Sequence, residues 1–199
     1  GSILQKLEKH GYAIGVDISE EAVKFCKLRG CKNVYKIDQK EGLPFKDNAF
    51  DLVTALDIIE HIDDDCAALA EYCRVVRKDG VLLVTVPAYD FLWGPHDEVN
   101  DHKRRYIAKE LRNKMEKTGF TVKKMTYFDT FLFPFFVLIR TGHRVSKMIN
   151  SRYKPRSDLK MCRPWINYLL KIIFSLEDPL LKKLNFPYGV SLLCVAEKN

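Results

Sequence analysis

The chain has 199 residues, of which 47% are hydrophobic and 30% are charged, and its formal net charge is +7. This length and composition exclude a disordered chain and suffice for one sizeable core, so we expect one domain with room for an appendage. The longest uncharged apolar run is FLFPFFVLI at 131–139. It is shorter than the roughly 20 residues of a membrane span, so we expect no integral membrane protein.

Cysteine spacing and charge distribution narrow the possible classes of protein and of binding partner further. The six cysteines form no C-x-x-C motif and no Cys/His pattern with zinc spacing, which predicts free thiols in a reducing cytoplasm and no metal site. Residues 1–100 carry 12 Lys and Arg against 18 Asp and Glu, whereas residues 101–199 carry 21 against 8. The basic second half suits an anionic membrane surface, an acidic substrate or nucleic acid, or else forms an ordinary solvated face.

The predicted elements alternate between helix and strand. A helical pattern at 3–9 precedes the strand YAIGVD, and SEEAVKFCKLRG follows as a helix with Ser19 as its N-cap. NVYKID and DLVTALD are the next strands, then DDDCAALAEYCRVVRKDG is a helix and VLLVTVPA an apolar strand. The helix IAKELRNKMEKTGF and the strands TVKKMTYF and GVSLLCVAEK complete the order. This alternation predicts an α/β fold with a mostly parallel sheet.

Acidic residues lie at or just beyond the ends of three predicted strands, namely Asp17, Asp38 and Asp57. Ligands of such sheets bind outside the carboxyl ends of the strands. A carboxylate placed like Asp17 can accept both hydroxyls of a ribose, and Asp38 can accept an adenine amino group. Each acid alone could instead cap a helix, but two in register at adjacent strand ends favour a nucleoside site.

Three stretches of the sequence resemble a known family. AIGVDIS, IDQKEGLPFKDNAFDLVTALDIIEHIDD and LAEYCRVVRKDGVLLVTVPA closely resemble the second to fifth strands of class I S-adenosylmethionine-dependent methyltransferases, in particular the ubiquinone and menaquinone biosynthesis branch. The resemblance covers about residues 1–128 and the last strand. It implies a Rossmann-like fold and S-adenosylmethionine as the cofactor. By this resemblance Asp17 binds the ribose of the cofactor, Ile18 packs on the adenine face, and Asp38 or Gln39 meets the adenine edge. Leu56 and Asp57 line the methionine part, and His61 lies near the cofactor.

In this family a first strand and a G-x-G-x-G loop precede the ribose acid. Gly1 lies 16 residues before Asp17, close to the family's spacing for the last glycine of that loop, so Gly1 resembles the tail of the loop. Gly1-Ser2 could instead be a remnant of an expression tag. In either case most of the loop is missing from this sequence, and we expect weak cofactor binding because backbone amides that would approach the cofactor are missing.

The segment YDFLWGPHDEVNDHKRRY, residues 89–106, is predicted to be a long loop at the active-site end of the sheet. Methyl transfer is an in-line displacement from a sulfonium, which needs an aligned acceptor and, for a hydroxyl acceptor, a base. His96 and His102 are the candidate bases, with Asp97 or Asp101 to orient them. The same residues could instead bind a phosphate or ligate a metal.

About sixty residues separate Phe128 from Gly189, where the family has a short hairpin. We therefore expect a methyltransferase domain formed by 1–128 and 189–199, and a helical, apolar and basic insert at 129–188. The insert contains FLFPFFVLIR, RYKPRSDLK and the amphipathic WINYLLKIIFSLEDPLLKKL. It suits a lid for a lipid-like acceptor or a surface that touches membrane headgroups, or else its helices form a subdomain or a homodimer interface.

These observations predict methyl transfer from S-adenosylmethionine to a small or lipid-like acceptor, at oxygen. We expect a cytoplasmic protein with a peripheral membrane contact and no nucleic-acid partner. Two alternatives stay open. A nicotinamide-dependent oxidoreductase would also place an acid like Asp17 after the strand, although the sequence has no Tyr-x-x-x-Lys pair. The other alternative is a non-catalytic protein that binds the cofactor or a partner.

Overall fold

Helices and strands alternate along the chain in the computed structural model, which describes residues 1–38, 42–149 and 164–199. The chain divides into two units, Gly1–Lys46 and Asp47–Asn199. Each unit has its own sheet and its own buried core.

The first unit contains two short parallel strands and two helices, in the order α1 (Ser2–Leu7), β1 (Gly15–Asp17), α2 (Glu20–Leu28) and β2 (Val34–Lys36). Helix α2 begins where the sequence predicts, because the Ser19 hydroxyl accepts a hydrogen bond from the Ala22 amide at 3.2 Å. Its buried face is small, and Val23 packs with Cys31 and Val34. Both strands are shorter than predicted, so this unit has only a small sheet.

The second unit is built on a four-stranded sheet in the order β3-β4-β6-β5. Strand β4 pairs in parallel with β3, and β6 pairs antiparallel with both β4 and β5. Three of the four strands therefore point the same way, which confirms the predicted Rossmann-like α/β class. The strands are β3 (Phe50–Leu56), β4 (Val76–Pro87), β5 (Phe120–Phe128) and β6 (Ser191–Lys198).

Helices cover this sheet and connect its strands. They are α3 (Asp65–Val75), α4 (Pro95–Val99), α5 (Ala108–Lys117), α6 (Phe133–Ile149) and α7 (Pro164–Lys183), with short 3-10 helices at Ile59–His61 and Asp90–Leu92. Alternate residues of β4 are fully buried, as are Leu111 and Met115, which lie one turn apart on α5. The periodicities of two and of about 3.6 residues that predicted these elements thus mark the faces that meet in the core.

Helix α3 is shorter than predicted: it ends at Val75, and the RKDG that follows belongs to β4. The amides of Asn48 and Ala49 donate to the carbonyls of Arg74 and Val75 at 2.9 and 2.8 Å, so the last carbonyls of the helix are satisfied by the loop before β3. Both contacts join residues that are distant in sequence, and local pattern does not reveal them. The extra residues form an irregular stretch of β4 opposite Asp51.

The 89–106 segment is also more regular than the predicted loop. It contains the 3-10 helix Asp90–Leu92 and α4, where Pro95 occupies the first turn and the Gly94 amide donates to Asp97 Oδ2 at 2.8 Å.

The helices α6 and α7 lie in the segment predicted as a helical insert, whereas RYKPRSDLK lies outside the described residues. Among the described residues, no helix has the length and apolar character that crossing a membrane requires. The described cysteines, 26, 31, 66, 73 and 194, are all free thiols, as the sequence predicts.

Candidate active site

Asp17 closes β1 in the first unit. Its Oδ1 accepts a hydrogen bond from the Ser19 amide at 2.8 Å, and among the described residues its Oδ2 has no hydrogen-bond partner. Ile18, the next residue, is 57% exposed. A free carboxylate oxygen beside an exposed apolar side chain fits the ribose and the adenine face that the sequence assigns to these two residues.

The remaining predicted residues of the first unit are Asp38, Gln39 and Gly1. Asp38 is exposed and follows Ile37, whose amide donates to the Asp17 carbonyl at 3.0 Å, so the two acids do lie at adjacent strand ends. Gln39 lies outside the described residues. Gly1 packs closely on α2, where a Cβ at this position would stand 3.2 Å from Cys26 Sγ. The roles of all three in cofactor binding stay predictions.

A cavity of about 310 Å³ lies elsewhere in the first unit. Its lining includes Ala13 and Asn33, which precede β1 and β2. The cavity is therefore at the amino ends of these strands, opposite the end that carries Asp17, and none of the predicted cofactor residues lines it. We assign the chemistry to the strand ends and not to this cavity.

Strand β3 of the second unit ends at Leu56, and Asp57 follows in a left-handed conformation with a φ of 53°. The Asp57 amide donates to the Thr85 carbonyl at 3.0 Å, and Asp57 Oδ1 accepts from the Thr85 hydroxyl at 3.2 Å. These bonds to β4 fix the exit of the strand. They place the exposed Asp57 side chain at the carboxyl end of the sheet, where the sequence expects a ligand.

Asp97 of α4 is a fully buried anion with four hydrogen-bond contacts to three neighbours. Arg105 donates to its two oxygens at 2.8 and 3.0 Å, the Gly94 amide donates at 2.8 Å, and His102 Nδ1 lies 2.9 Å from Oδ1. Burial alone would raise the pKa of Asp97, but the Arg105 guanidinium and the other donors outweigh burial and hold that pKa below its usual value. Asp97 therefore orients its neighbours.

His102 is the neighbour of Asp97 that can accept a proton. Burial lowers the pKa of its imidazole, and the contact with Asp97 only partly opposes this effect, so the ring is neutral at pH 7. In this state Nδ1–H donates to Asp97 and Nε2 keeps its lone pair. The rings of His61 and His96 lie 4.7 and 6.0 Å from the His102 ring, centroid to centroid.

The structure thus selects among the predicted pairs. It brings His102 onto Asp97, whereas the ring nitrogens of His96 contact the Asn100 amide at 3.0 and 3.2 Å. Asp101 is exposed and contacts neither histidine among the described residues. The assignment of His102, Asp97 and His96 to catalysis stays a prediction.

Sequence reasoning missed Glu60, although it quoted the EH pair in which Glu60 stands. Glu60 is fully buried, and neither carboxylate oxygen has a hydrogen-bond partner among the described residues. Burial, with a further contribution from the carboxylates of Asp57 and Asp97, raises the pKa of Glu60 to about 8. Only the tertiary structure identifies such a group, because a glutamate followed by a histidine gives no sign in the sequence that the carboxyl group is buried.

The segment 102–106 is tied to the 59–65 segment by bonds that position this cluster. The Lys103 amide donates to the Glu60 carbonyl at 2.8 Å, and the Tyr106 hydroxyl donates to Asp65 at 2.8 Å. Arg104 also binds Asp65, at 3.2 Å. Arg104 and Arg105 are therefore engaged inside the protein, which makes the phosphate-binding alternative for the HKRR stretch less favourable.

An aromatic cluster follows the carboxyl end of β4. Tyr89 stacks on Tyr127 at 5.0 Å, and Phe133 of α6 lies 5.8 Å from Tyr89 and 5.4 Å from Tyr188, centroid to centroid. Phe91 lies 6.3 Å from Phe133. Phe91 and Tyr188 are 45% and 46% exposed, so this cluster presents an apolar surface to solvent.

Comparison with known proteins shows which family the chain resembles. Residues 1–84 match the family described as a methyltransferase domain. A protein of Mycolicibacterium smegmatis named as a probable S-adenosylmethionine-dependent methyltransferase is 33% identical over 116 residues, which are 55% of this chain and 44% of that protein. A ubiquinone biosynthesis O-methyltransferase of Pelagibacter ubique is 30% identical over 129 residues, 56% of this chain and 53% of that protein. The chain thus spans about half the length of these relatives.

A solved structure agrees on the fold. The S-adenosylmethionine-dependent methyltransferase of Thermotoga maritima superposes with a TM-score of 0.56 and 24% identity, over 94% of this chain and 73% of that one. Two of these proteins are named as S-adenosylmethionine-dependent, and the sulfonium of that cofactor supplies the methyl group. Asp17 and Asp57, each within its own sheet, stand at strand ends of the kind where such a cofactor binds. In its sequence, its fold and these matches, the chain is similar to class I S-adenosylmethionine-dependent methyltransferases, and its residues 1–84 match their methyltransferase domain.

Proposed function

We propose that this protein transfers a methyl group from S-adenosylmethionine to a hydroxyl oxygen of a small or lipid-like acceptor. The observation that supports oxygen as the acceptor atom is the buried His102–Asp97 pair at 2.9 Å. A hydroxyl must lose its proton as it attacks, and a neutral imidazole held in one tautomer by a carboxylate is suited to receive that proton. The O-methyltransferase among the relatives agrees with this choice.

The reaction balances without a further reagent. The acceptor oxygen forms a bond to the methyl carbon as the carbon–sulfur bond breaks, and the electron pair of that bond goes to sulfur, which leaves S-adenosylhomocysteine. The hydroxyl proton goes to the polar cluster around His102. The protein's contribution is alignment of the three atoms in line and removal of the proton.

The aromatic cluster supports an acceptor with an apolar part. Phe91 and Tyr188 are about half exposed, and Phe133 joins them to the first turn of α6. Arg105 of the polar cluster donates to the carbonyl of Ala88, the residue before Tyr89. An aromatic surface on a neighbouring segment would provide apolar contact for one end of a ligand whose other end meets the polar groups. Replacing Phe91 with Ser is expected to raise the KM for an apolar acceptor more than that for a small one.

The exposed apolar side chains of the insert support a contact with a membrane surface. Leu138 of α6 and Trp165 of α7 are 71% and 63% exposed, and the second half of the chain has a net positive charge. Co-sedimentation with anionic vesicles across a salt series tests this contact, because the electrostatic part of binding weakens with salt and the apolar part does not. Absence of binding at low salt would leave the insert as a subdomain or a homodimer interface.

Transfer of labelled methyl groups tests the reaction. The protein is incubated with methyl-labelled S-adenosylmethionine and either a polyprenylated phenol or the primary amine with the same prenyl chain. We expect label in the phenol, and we expect His102→Gln to lower kcat by about 100-fold or more. His10→Gln, at an exposed histidine of the first unit, is the matched control. Equal labelling of the amine would contradict oxygen as the acceptor atom.

The two alternatives give different results in cofactor titrations. A nicotinamide-dependent oxidoreductase would change the fluorescence of a reduced nicotinamide dinucleotide on binding, whereas a methyltransferase binds S-adenosylhomocysteine in calorimetry. A non-catalytic protein would bind S-adenosylhomocysteine but label no acceptor in the panel.

A further inference from the structure

Glu60 needs a partner that the described side chains do not provide. Its side chain is fully buried in the 3-10 helix after β3, and neither oxygen accepts a hydrogen bond from a described residue. Buried carboxylates are generally paired with a cation or with donors, because burial removes the water that would otherwise solvate the charge. The buried guanidinium of Arg105 is committed to Asp97 and to the Ala88 carbonyl.

Glu60, His61 and His102 bring three possible metal-ligand atoms close together. One ligand atom each of Glu60, His61 and His102 lies within 4.8 Å of the other two. The rings of His61 and His102 meet edge to face at 4.7 Å. Metal–nitrogen and metal–oxygen bonds of about 2 Å place ligands about 3 to 4 Å apart. Small side-chain rotations from separations of up to 4.8 Å would therefore let these atoms surround one ion.

The position of Asp97 is that of a residue that orients a metal ligand. It lies 2.9 Å from His102 Nδ1, and its other bonds, to Arg105 and the Gly94 amide, hold it in place. Histidines that ligate metals usually donate their second ring N–H to a carboxylate or a carbonyl, which fixes the tautomer and turns the free nitrogen towards the ion. His102 has this arrangement, with Nε2 left for a cation.

We propose that Glu60, His61 and His102 bind one divalent transition-metal cation. Two imidazole nitrogens and one carboxylate oxygen favour zinc, manganese or iron over magnesium and calcium, which prefer oxygen ligands. Three protein ligands leave at least one coordination position for another molecule, which is the arrangement of catalytic and not of structural sites. The proposal departs from the expectation drawn from cysteine and histidine spacing, because carboxylate ligands and distant histidines escape such a search.

The catalytic consequence rests on the proposed function. A bound cation would lower the pKa of an acceptor hydroxyl that coordinates it, so that the hydroxyl would lose its proton to solvent at neutral pH before its oxygen attacks the methyl carbon. His102 would then hold the cation through Nε2, and in this form of the proposed reaction water would take the proton that His102 takes when no cation is bound. The carbon–sulfur electron pair still goes to sulfur.

Calorimetry with ZnCl2 and MnCl2 on the full chain, after dialysis against a chelator, tests the site directly. We expect one cation per chain, and we expect Glu60→Gln and His61→Gln to weaken binding by about 100-fold or more. His10→Gln, the same kind of change at an exposed histidine, should leave binding unchanged. A wild-type chain that binds neither cation, or cations that bind Glu60→Gln and His61→Gln as tightly as wild type, would overturn the proposal.

Thermal unfolding supplies a second readout that does not depend on activity. A cation that binds only the folded state raises the Tm of the wild type, and we expect no such rise for Glu60→Gln. Without the cation, Glu60→Gln should be about as stable as the wild type, because the amide has nearly the shape of the carboxyl group and carries no charge into the core. An equal rise of Tm in both proteins would overturn the site.

The outcomes also separate this inference from the proposed function. Cation binding that Glu60→Gln abolishes, without methyl transfer to any acceptor, supports the site and contradicts the proposed function. Methyl transfer that proceeds at the same rate in Glu60→Gln, with no cation bound by the wild type, overturns the site and leaves the proposed function standing.

Discussion

Replacing Asp97 with asparagine tests whether the buried ion pair with Arg105 organises the second unit. The side chains of Asp97 and Arg105 are 0% and 5% exposed, and two of the four bonds to the Asp97 oxygens come from the guanidinium. The asparagine would keep one acceptor oxygen but would turn an NH2 group towards donors. Arg105 would then remain buried with its charge only partly compensated.

The expected loss of stability follows from this geometry. Removing one partner of a buried ion pair costs about 3 to 5 kcal/mol. Because the amide oxygen of the asparagine can still accept one hydrogen bond, we expect a loss of about 3 kcal/mol, at the lower end of that range. Domains of this size have stabilities of roughly 5 to 15 kcal/mol. With a urea m-value of about 2 kcal/mol/M, the unfolding midpoint would fall by about 1.5 M.

Urea unfolding followed by tryptophan fluorescence measures this effect, since Trp93 lies within the same segment. Asp101→Asn is the matched control, because Asp101 is exposed and its φ of 54° is one that asparagine accepts readily. We expect Asp101→Asn to stay within about 0.5 kcal/mol of the wild type. If Asp97→Asn lost less than about 1 kcal/mol, the buried pair would not organise this part of the fold.

Three further predictions concern other parts of the chain. Asp17→Ala should weaken S-adenosylhomocysteine binding by about 1.5 to 3 kcal/mol in calorimetry, and wild-type affinity would refute the ribose assignment. Burial would raise the pKa of Asp65, but hydrogen bonds led by that from Lys114 lower it overall. The stabilising effect of Asp65 is therefore present above the unfolded pKa near 3.8 and is lost as pH falls below that value. In Asp65→Asn the urea unfolding midpoint should depend less on pH between about pH 4 and pH 2, and an unchanged pH dependence would contradict this. Gly189→Ala should destabilise the protein strongly, because the added Cβ would collide with the backbone of Phe128 in β5. In Gly142→Ala on α6 the added Cβ would meet nothing within 4 Å, so this change should stabilise the protein by about 0.5 to 1 kcal/mol in the same assay. Equal effects of the two changes would contradict the close approach of Gly189 to β5.

Local sequence determined most of the helices and strands. Alternating buried residues in β4 and the Ser19 cap of α2 depend on neighbours within a few positions, so period and composition were sufficient to predict them. The end of α3 was not predictable in this way. It depends on amides of the loop before β3, at Asn48 and Ala49, which are distant in sequence.

The candidate site also has features that the sequence predicts and features that only the tertiary structure decides. The sequence by itself determined which acids and histidines follow the strands, because the carboxyl end of a strand is visible as the end of an apolar run. Only the tertiary structure decided that Asp97 holds His102, and that Glu60 is buried without a partner among the described residues beside His61. The physical reason is that the surroundings of Glu60 depend on the segment that carries His102, about 40 residues away. The turn after α4 decides that Asp97 and not Asp101 contacts His102, and no local pattern encodes which side chains meet there.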